Sequence, residues 1–408
     1  MSSRQVAVGS LRRSHIVRTA DHRQTSNAAA VLTATLDHGP VARSSVARLA
    51  GLSPAAVSRL TTGLINARLV KEVPQACDPH GVGRPHVPID IDTSALVAAG
   101  VHIAAGHATL SLLDLRGQVI ARERIGHVDT HPERLLDRLG QRVPGFIAAH
   151  AGGRLPMGLG VATGGWVDSA GGRVVAHPVL GWRGVAVGQI LAAATGLQVS
   201  VDNHSRALVR AERAFGDVRA RTSIVHLLVG NVVDAAFATG DTVHTGPRSA
   251  AGAVAHLPVP GRSEPCPCGG RGCLEAVVSS QTLARRAAQA GIAGGFTGLL
   301  DAAIAGDERA LAIFRDRARL VGAAAAVLLD VLNPELLVVA EAGTAQLPDC
   351  LEVLRDEVRI RSALAGNRSR NVVATSFAQD ALSVAGGAVI LDEIYANPLR
   401  RRPPGPRA

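Results

Sequence analysis

Three cysteines fall within eight residues, Cys266-Pro267-Cys268-Gly269-Gly270-Arg271-Gly272-Cys273, and no other feature constrains the chain as tightly. The chain has five cysteines, an odd number, and Cys77 and Cys350 stand far from the cluster. A disulfide framework needs paired cysteines spread through a small chain. A tight run in a glycine-rich loop reads instead as a set of metal ligands in a reducing cytoplasm. Whatever else the chain does, it must fold that loop onto an ion. Cys77 and Cys350 read as ordinary thiols.

At 408 residues the chain predicts two or three domains. Hydrophobic residues at 47% and charged residues at 19% exclude a disordered chain. The net charge of +10 is unevenly placed. Residues 1–90 hold eleven basic and five acidic side chains, and the last nine residues hold four Arg and no acid. Residues 91–399 hold 28 of each sign. Basic ends on a neutral body predict a polyanion-binding module joined to something else. No run of 18 apolar residues is present, so no membrane span is expected. Arg4, Arg12 and Arg13 precede no apolar stretch, which speaks against a secretory signal and for a cytoplasmic protein.

Residues 1–25 are polar and Arg-rich and read as a flexible basic arm. A helical period starts at Ser26, with Ala29, Leu32 and Leu36 on one face, and Gly39-Pro40 ends it. A short helix follows with Val46 and Leu49 inward, then Gly51-Leu52-Ser53-Pro54. Ser53 suits an N-cap and Pro54 the first helical position. The third helix, about 54–67, places Val57, Leu60 and Leu64 inward and Ala55, Ser58, Arg59, Thr62 and Asn66 outward. Helix, short helix, glycine turn and helix form the helix-turn-helix pattern. Leu69-Val70 and Val87-Pro88-Ile89 read as two strands around a loop ending in Gly83-Arg84-Pro85. That loop is a wing whose Arg84 can enter a narrow minor groove. The residues expected at DNA are Ser53, Ala55, Ser58, Arg59, Thr62 and Arg84.

The body starts near residue 93. Three strands (96–104, 108–114 and 118–125) precede a helix at about 131–150. A strand (157–161), a hairpin, a helix (about 185–195), a short strand (199–201) and a helix (about 204–214) follow. The three-strand pattern then restarts at 223–229, 233–239 and 242–244. Helices at about 307–331 and 346–361 alternate with strands 336–339 and 372–375. Two successive β-β-β-α units predict two similar lobes with a cleft between them. Residues 399–408 form a basic tail, in which Arg400-Arg401-Arg402 read as solvated.

These features resemble the ROK family (repressors, open reading frames, kinases) over nearly the whole length. The specific match is His256 followed by Cys266-x-Cys268-Gly269-x-x-Gly272-Cys273-x-Glu275, which is similar to the family's zinc motif. The resemblance implies that His256, Cys266, Cys268 and Cys273 hold a structural Zn²⁺. Such a Cys3His shell is closed and leaves no open catalytic position. The resemblance also implies an actin-like body of two lobes, binding nucleotide and sugar in the cleft.

In the kinases of the family an Asp-x-Gly-Gly-Thr loop holds phosphate. The matching stretch is His102-Ile103-Ala104-Ala105-Gly106, where His replaces the Asp and Ala both glycines. An added Cβ obstructs close approach of phosphate to the backbone. The family's catalytic base lies in Asn-Asp-x-Asn. Here the stretch is Asn203-His204-Ser205-Arg206, with His204 at the base position and Arg206 at the second Asn. The Gly-rich turn of the second lobe is Gly230-Asn231-Val232-Val233-Asp234-Ala235-Ala236, and the family's Glu-x-Gly-His is Ala253-Val254-Ala255-His256. Asn203, His256 and Glu275 remain as sugar-contacting positions. Phosphoryl transfer needs cradle, metal and oriented nucleophile together, and all the matched parts are altered together.

The expected fold class is α/β: a winged helix-turn-helix at 26–92 and a two-lobed actin-like body at 93–398. The expected function is a sequence-specific DNA-binding transcriptional repressor with no catalytic residue. It would act on a double-stranded operator as a homodimer or larger homo-oligomer and respond to a sugar or sugar derivative. The alternative is an ATP-dependent sugar kinase carrying a DNA-binding module.

Overall fold

The computed structural model describes residues 15–76, 87–364 and 366–400. Helices α1 (His15–His38), α2 (Arg43–Ala50) and α3 (Pro54–Asn66) pack on one another and are followed by strands β1 (Val70–Glu72) and β2 (Ile89–Ile91). The first helix begins eleven residues before Ser26, inside the segment expected to be an arm. No glycine or proline stops it there, and the apolar stripe that marks it in the sequence starts only at Ala28, Val31 and Leu32, which are buried. Gly51 ends α2 with φ +64°, the left-handed conformation that lets the chain turn sharply into α3. Leu49 was expected inward but is 50% exposed. An eight-residue helix buries only Val46 and Ala47, and Leu49 projects past the edge of that contact. β1 and β2 pair antiparallel, Val70 opposite Ile91 and Glu72 opposite Ile89. The wing loop, with Cys77 and Arg84, lies outside the described residues.

The first lobe of the body comprises β3 (Leu96–Ile103), β4 (His107–Leu113), β5 (Val119–Gly126), α4 (Pro132–His150), β6 (Leu155–Thr163), β7 (Trp166–Asp168), β8 (Arg173–His177), β9 (Trp182–Val185), α5 (Val187–Thr195) and β10 (Val199–Asn203). Helix α6 (His204–Phe215) leads to the second lobe: β11 (Ser223–Val229), β12 (Val233–Thr239), β13 (Thr242–Val243), α7 (Leu274–Val278), α8 (Ser280–Gln289), α9 (Gly295–Ile304), α10 (Glu308–Leu332), β14 (Leu336–Ala340), α11 (Ala342–Gln346), α12 (Pro348–Arg361) and β15 (Val372–Ala374). Helix α13 (Ala381–Ala396) is the last regular element among the described residues.

The two large sheets repeat one plan. Their orders are β10-β6-β3-β4-β5 and β13-β12-β11-β14-β15. In each, an antiparallel meander is extended on its first strand's other side by two later strands, and β10 runs parallel to β6 as β15 does to β14. The hairpin expected after β6 is a three-stranded sheet, β7-β8-β9. Helix α13 lies flush on the first sheet because four glycines meet there. A Cβ on Gly100 would stand 2.4 Å from Gly387 N, and one on Gly160 only 2.0 Å from Gly386 O. Ala162, Ala207, Leu208, Leu228, Ala340 and Ala385 form a small-residue core that joins the two sheets through α6 and α13.

The described residues divide into two compact units: residues up to Leu96 with those from Glu393 onward, and Val97–Asp392. The second division falls inside α13 rather than near 398. The last turn of α13 buries Ile394 and Tyr395, and Leu399 rests on α3: a Cβ on Gly63 would meet both of its methyls at 3.4 Å.

Candidate functional site

The outward face of α3 presents Ala55, Ser58, Arg59, Thr62 and Asn66, all exposed. Ser53 is exposed too, and its Oγ accepts from Ala56 N at 3.3 Å, so it caps the helix. Small side chains and one Arg leave the N-terminal half of α3 narrow enough for a major groove.

The cysteine loop closes as its sequence demands. Gly269 N donates to Cys266 O and Cys266 N to Gly270 O, while Gly269 takes φ +90°. At Gly272, with φ +65°, a Cβ would stand 2.3 Å from Arg262 O, so only glycine fits. Cys273 caps α7, and Asp316 on α10 braces the loop and α8 through Arg262 and Arg286. His256 Nδ1 lies 3.6 Å from Cys266 Sγ, and Cys268 Sγ lies 3.7 Å from Cys273 Sγ. The four donor atoms all fall within 4.8 Å of one another. Bonds of about 2.3 Å to sulfur put tetrahedral ligands about 3.8 Å apart, so the donors fit a zinc-sized ion. Burial pushes the bare Cys273 thiol up to about 12, whereas the Gly270 amide lowers that of Cys268. The four residues can hold a metal ion.

The cleft is built around Asp234 on β12. One of its oxygens, Oδ2, accepts from His204 Nε2 at 2.9 Å, Asn203 Nδ2 at 3.2 Å and Gly165 N at 3.3 Å. Burial opposes its charge, but the bonds from His204 and Asn203 outweigh that and hold its pKa below the usual carboxylate value. Asn203 also donates to Gly165 O, and its Oδ1 caps α6 by accepting from Ser205 N and Arg206 N. On its other side His204 Nδ1 meets His102 Nε2 at 3.4 Å, with the rings stacked 5.7 Å apart. A carboxylate only accepts, so His204 donates through Nε2. Its Nδ1 is then the nitrogen that faces His102 Nε2, so the His102 ring stands against the one nitrogen of His204 that could take a substrate proton.

Two backbone amides of the loops that would cradle phosphate are also engaged. Ala104 N donates to His107 O and His127 to Ala104 O, while Gly230 N donates to Val232 O. Arg206, only 2% exposed, takes Asp202 Oδ1, Ser169 Oγ, Val167 O and Ser249 O. Trp166 Nε1 donates to Arg248 O at 2.6 Å. Arg248 and Ser249 both have positive φ, 55° and 58°, which turns their successive carbonyls toward β7 and Arg206.

Of the expected ligand positions, Asn203 sits on Asp234. Glu275 Oε2 accepts from Val233 N at 3.0 Å beside it, and Glu275 N binds Ala255 O next to His256. Sequence reasoning missed Asp234 and the bracing role of Arg206. The one available signal was a lone Asp in the apolar strand Val233-Asp234-Ala235-Ala236.

A helix-turn-helix unit and a body of two repeated sheets around a cleft, with a Cys3His loop beside it, define a regulator built on a sugar-kinase fold. Residues 98–394 match the ROK family, and the chain belongs to that family, among its transcriptional regulators. It is 33% identical over 401 residues to a transcriptional regulator of Mycobacterium tuberculosis, covering 93% of this chain and 88% of the relative. It is 26% identical to the DNA-binding transcriptional repressor Mlc of Escherichia coli, covering 92% and 95%. A solved ROK family transcriptional regulator, described as a homologue of the E. coli protein, superposes with a TM-score of 0.76 at 26% identity over 93% of this chain and 98% of its own. A ROK glucokinase from Streptomyces griseus, solved with glucose and AMPPNP, shares the body fold. Its TM-score is 0.63 at 23% identity over 72% of this chain and 98% of its own. The expected family and the actin-like fold are therefore both found. Among the described residues no helix is long and apolar enough to cross a membrane.

Proposed function

We propose that the protein is a transcriptional repressor that binds a double-stranded DNA operator as a homodimer and that its body no longer catalyses phosphoryl transfer. The observation that carries the second half is His204. At the position of the family's catalytic base stands an imidazole whose two nitrogens are both committed, one to Asp234 and one to His102. General base catalysis needs a free lone pair within reach of the substrate proton. The first half rests on the exposed face of α3 and on the regulators that this chain resembles along more than nine-tenths of its length.

His256, Cys266, Cys268 and Cys273 would hold a structural Zn²⁺. The ion would supply cross-linking of the loop and no reaction chemistry, because four protein ligands complete its shell. Its loop runs directly into α7, whose first turn carries Glu275, and Glu275 accepts from Val233 N at the start of β12, so the ion would steady one wall of the cleft.

The effector in this reading is a sugar or sugar derivative held by Glu275 and His256, against a wall that includes Asn203, whose own amide is taken up by Gly165, Asp234 and the start of α6. Relatives named as xylose and N-acetylglucosamine repressors support that class. Such a ligand changes DNA affinity only if it prefers one arrangement of the lobes. With Mg-ATP and a panel of hexoses and N-acetylhexosamines, the zinc-loaded protein is expected to transfer no phosphate. Transfer to any of them, lost in His204→Ala, would overturn the inert body.

A further inference from the structure

Two buried histidines beside Asp234 carry ring nitrogens with no hydrogen-bond partner among the described residues. These are His177 Nε2 and His102 Nδ1, on residues 1% and 3% exposed. Native structures pair almost all their buried polar groups, because leaving one unpaired is costly.

His177 ends β8, and its Nδ1 accepts from Leu180 N at 3.3 Å, so the neutral ring carries its proton on Nε2. Burial, the larger cause, pushes His177 down to about 4 and His102 well below its usual value, which favours neutral rings. Gly165 ties His177 to Asp234. Its N–H goes to Asp234 Oδ2, and a Cβ on it would stand 3.1 Å from His177 Cα.

His102 ends a chain of polar groups. His204 gives its Nε2 proton to Asp234 and faces His102 Nε2 through Nδ1 at 3.4 Å. Two lone pairs would repel across that gap, so one N–H lies in it. If the proton is on His102, the Nδ1 of that ring is an acceptor. If it is on His204, the Nδ1 of neutral His102 is a donor. A hydroxyl answers either form, because it both donates and accepts. A phosphate or carboxylate oxygen answers only the second.

The bonds from His204, Asn203 and Gly165 all fall on Asp234 Oδ2. Oδ1 takes none from the described residues, and the side chain keeps 12% of its surface exposed. A carboxylate only accepts, so whatever meets Oδ1 must donate. Arg206, two residues after His204, is already spent on Asp202, Ser169 and two carbonyls. It offers nothing to an anion held against Asp234.

We propose that Asp234, His177 and His102 form a binding site for an uncharged polyhydroxylated ligand, an unphosphorylated sugar, with Asp234 Oδ1 taking a hydroxyl proton and His177 Nε2 donating to a ligand oxygen. This rests on the reading that a sugar effector binds the body, and it narrows that class by excluding sugar phosphates.

Titration calorimetry of the full-length zinc-loaded protein tests it with D-glucose, D-xylose and N-acetyl-D-glucosamine, each free and as the monophosphate on its terminal carbon. At least one free sugar is expected to bind, roughly 10-fold or more tighter than its own phosphate. Asp234→Asn removes the charge and keeps an oxygen for His204. It should weaken the free sugar roughly 10- to 100-fold and shrink its advantage over the phosphate. His177→Asn keeps an acceptor for Leu180 N and loses the Nε2 donor. It should weaken the free sugar roughly 3- to 10-fold with the melting midpoint unchanged. A phosphate that binds as tightly as its free sugar, or more tightly, would overturn the proposal and leave the sugar-effector reading standing. Wild-type affinity in either variant would overturn the site as assigned. Binding of no sugar in either form would overturn the sugar-effector reading itself, and this proposal with it.

Discussion

Asp234 gathers an imidazole, an amide side chain and a backbone N–H on one oxygen, and burial opposes charge on His177 and His226. Burial, with His204 second, pushes His226 down to about 3, and burial pushes His177 to about 4. Both folded values lie below the ordinary value of about 6.5, so the unfolded chain takes up protons first as pH falls. Stability is therefore full above about pH 6.5 and declines as pH drops toward the folded values. Melting followed at about pH 7.5 and about pH 5 should show a lower midpoint in acid, with a smaller drop in His226→Leu. An equal drop in both would mean that His226 stays accessible to protons. At this scale the metal ligands were legible because one loop supplies three of them within eight residues. Asp234 was not, because its partners come from residues 165, 203 and 204, and only the fold brings these together.

Among elements, those with a strong local period and clear punctuation were legible. α3 has a Ser cap, a proline at its first position and Val57, Leu60 and Leu64 inward, and β11 and β12 are apolar runs interrupted only by His226 and Asp234. α13 was not legible: it is apolar nearly all round, so it shows no stripe, and its two glycines make sense only against Gly100 and Gly160. The start of α1 was missed for the opposite reason, a polar stretch with no stripe. The cysteine loop is an element made by its ligands, held by short backbone bonds and by Asp316. Cys268→Ser should therefore lower bound zinc from about one ion per chain toward none and lower the melting midpoint of the body. Unchanged metal content and melting would show that the loop stands without an ion.

For the whole molecule, the sequence carried the division into a basic front and a neutral body, and the duplicated sheet plan followed from the repeated strand pattern. The reach of the C-terminus into the first unit was hidden, because Leu399 and Gly63 are brought together only by the fold. So was the clamp across the body, where Arg206 and Trp166 take the carbonyls of Ser249 and Arg248. Both bear on the central claim, that a kinase-like body now serves a DNA-reading unit. The most direct test is selection of genomic fragments by the purified zinc-loaded protein at about 0.15 M salt against random competitor DNA. The account predicts recovery of fragments sharing an inverted repeat, the symmetry a dimer of helix-turn-helix units imposes. Folded, zinc-loaded protein that enriches no sequence, with and without the sugars of the phosphorylation panel, would contradict it.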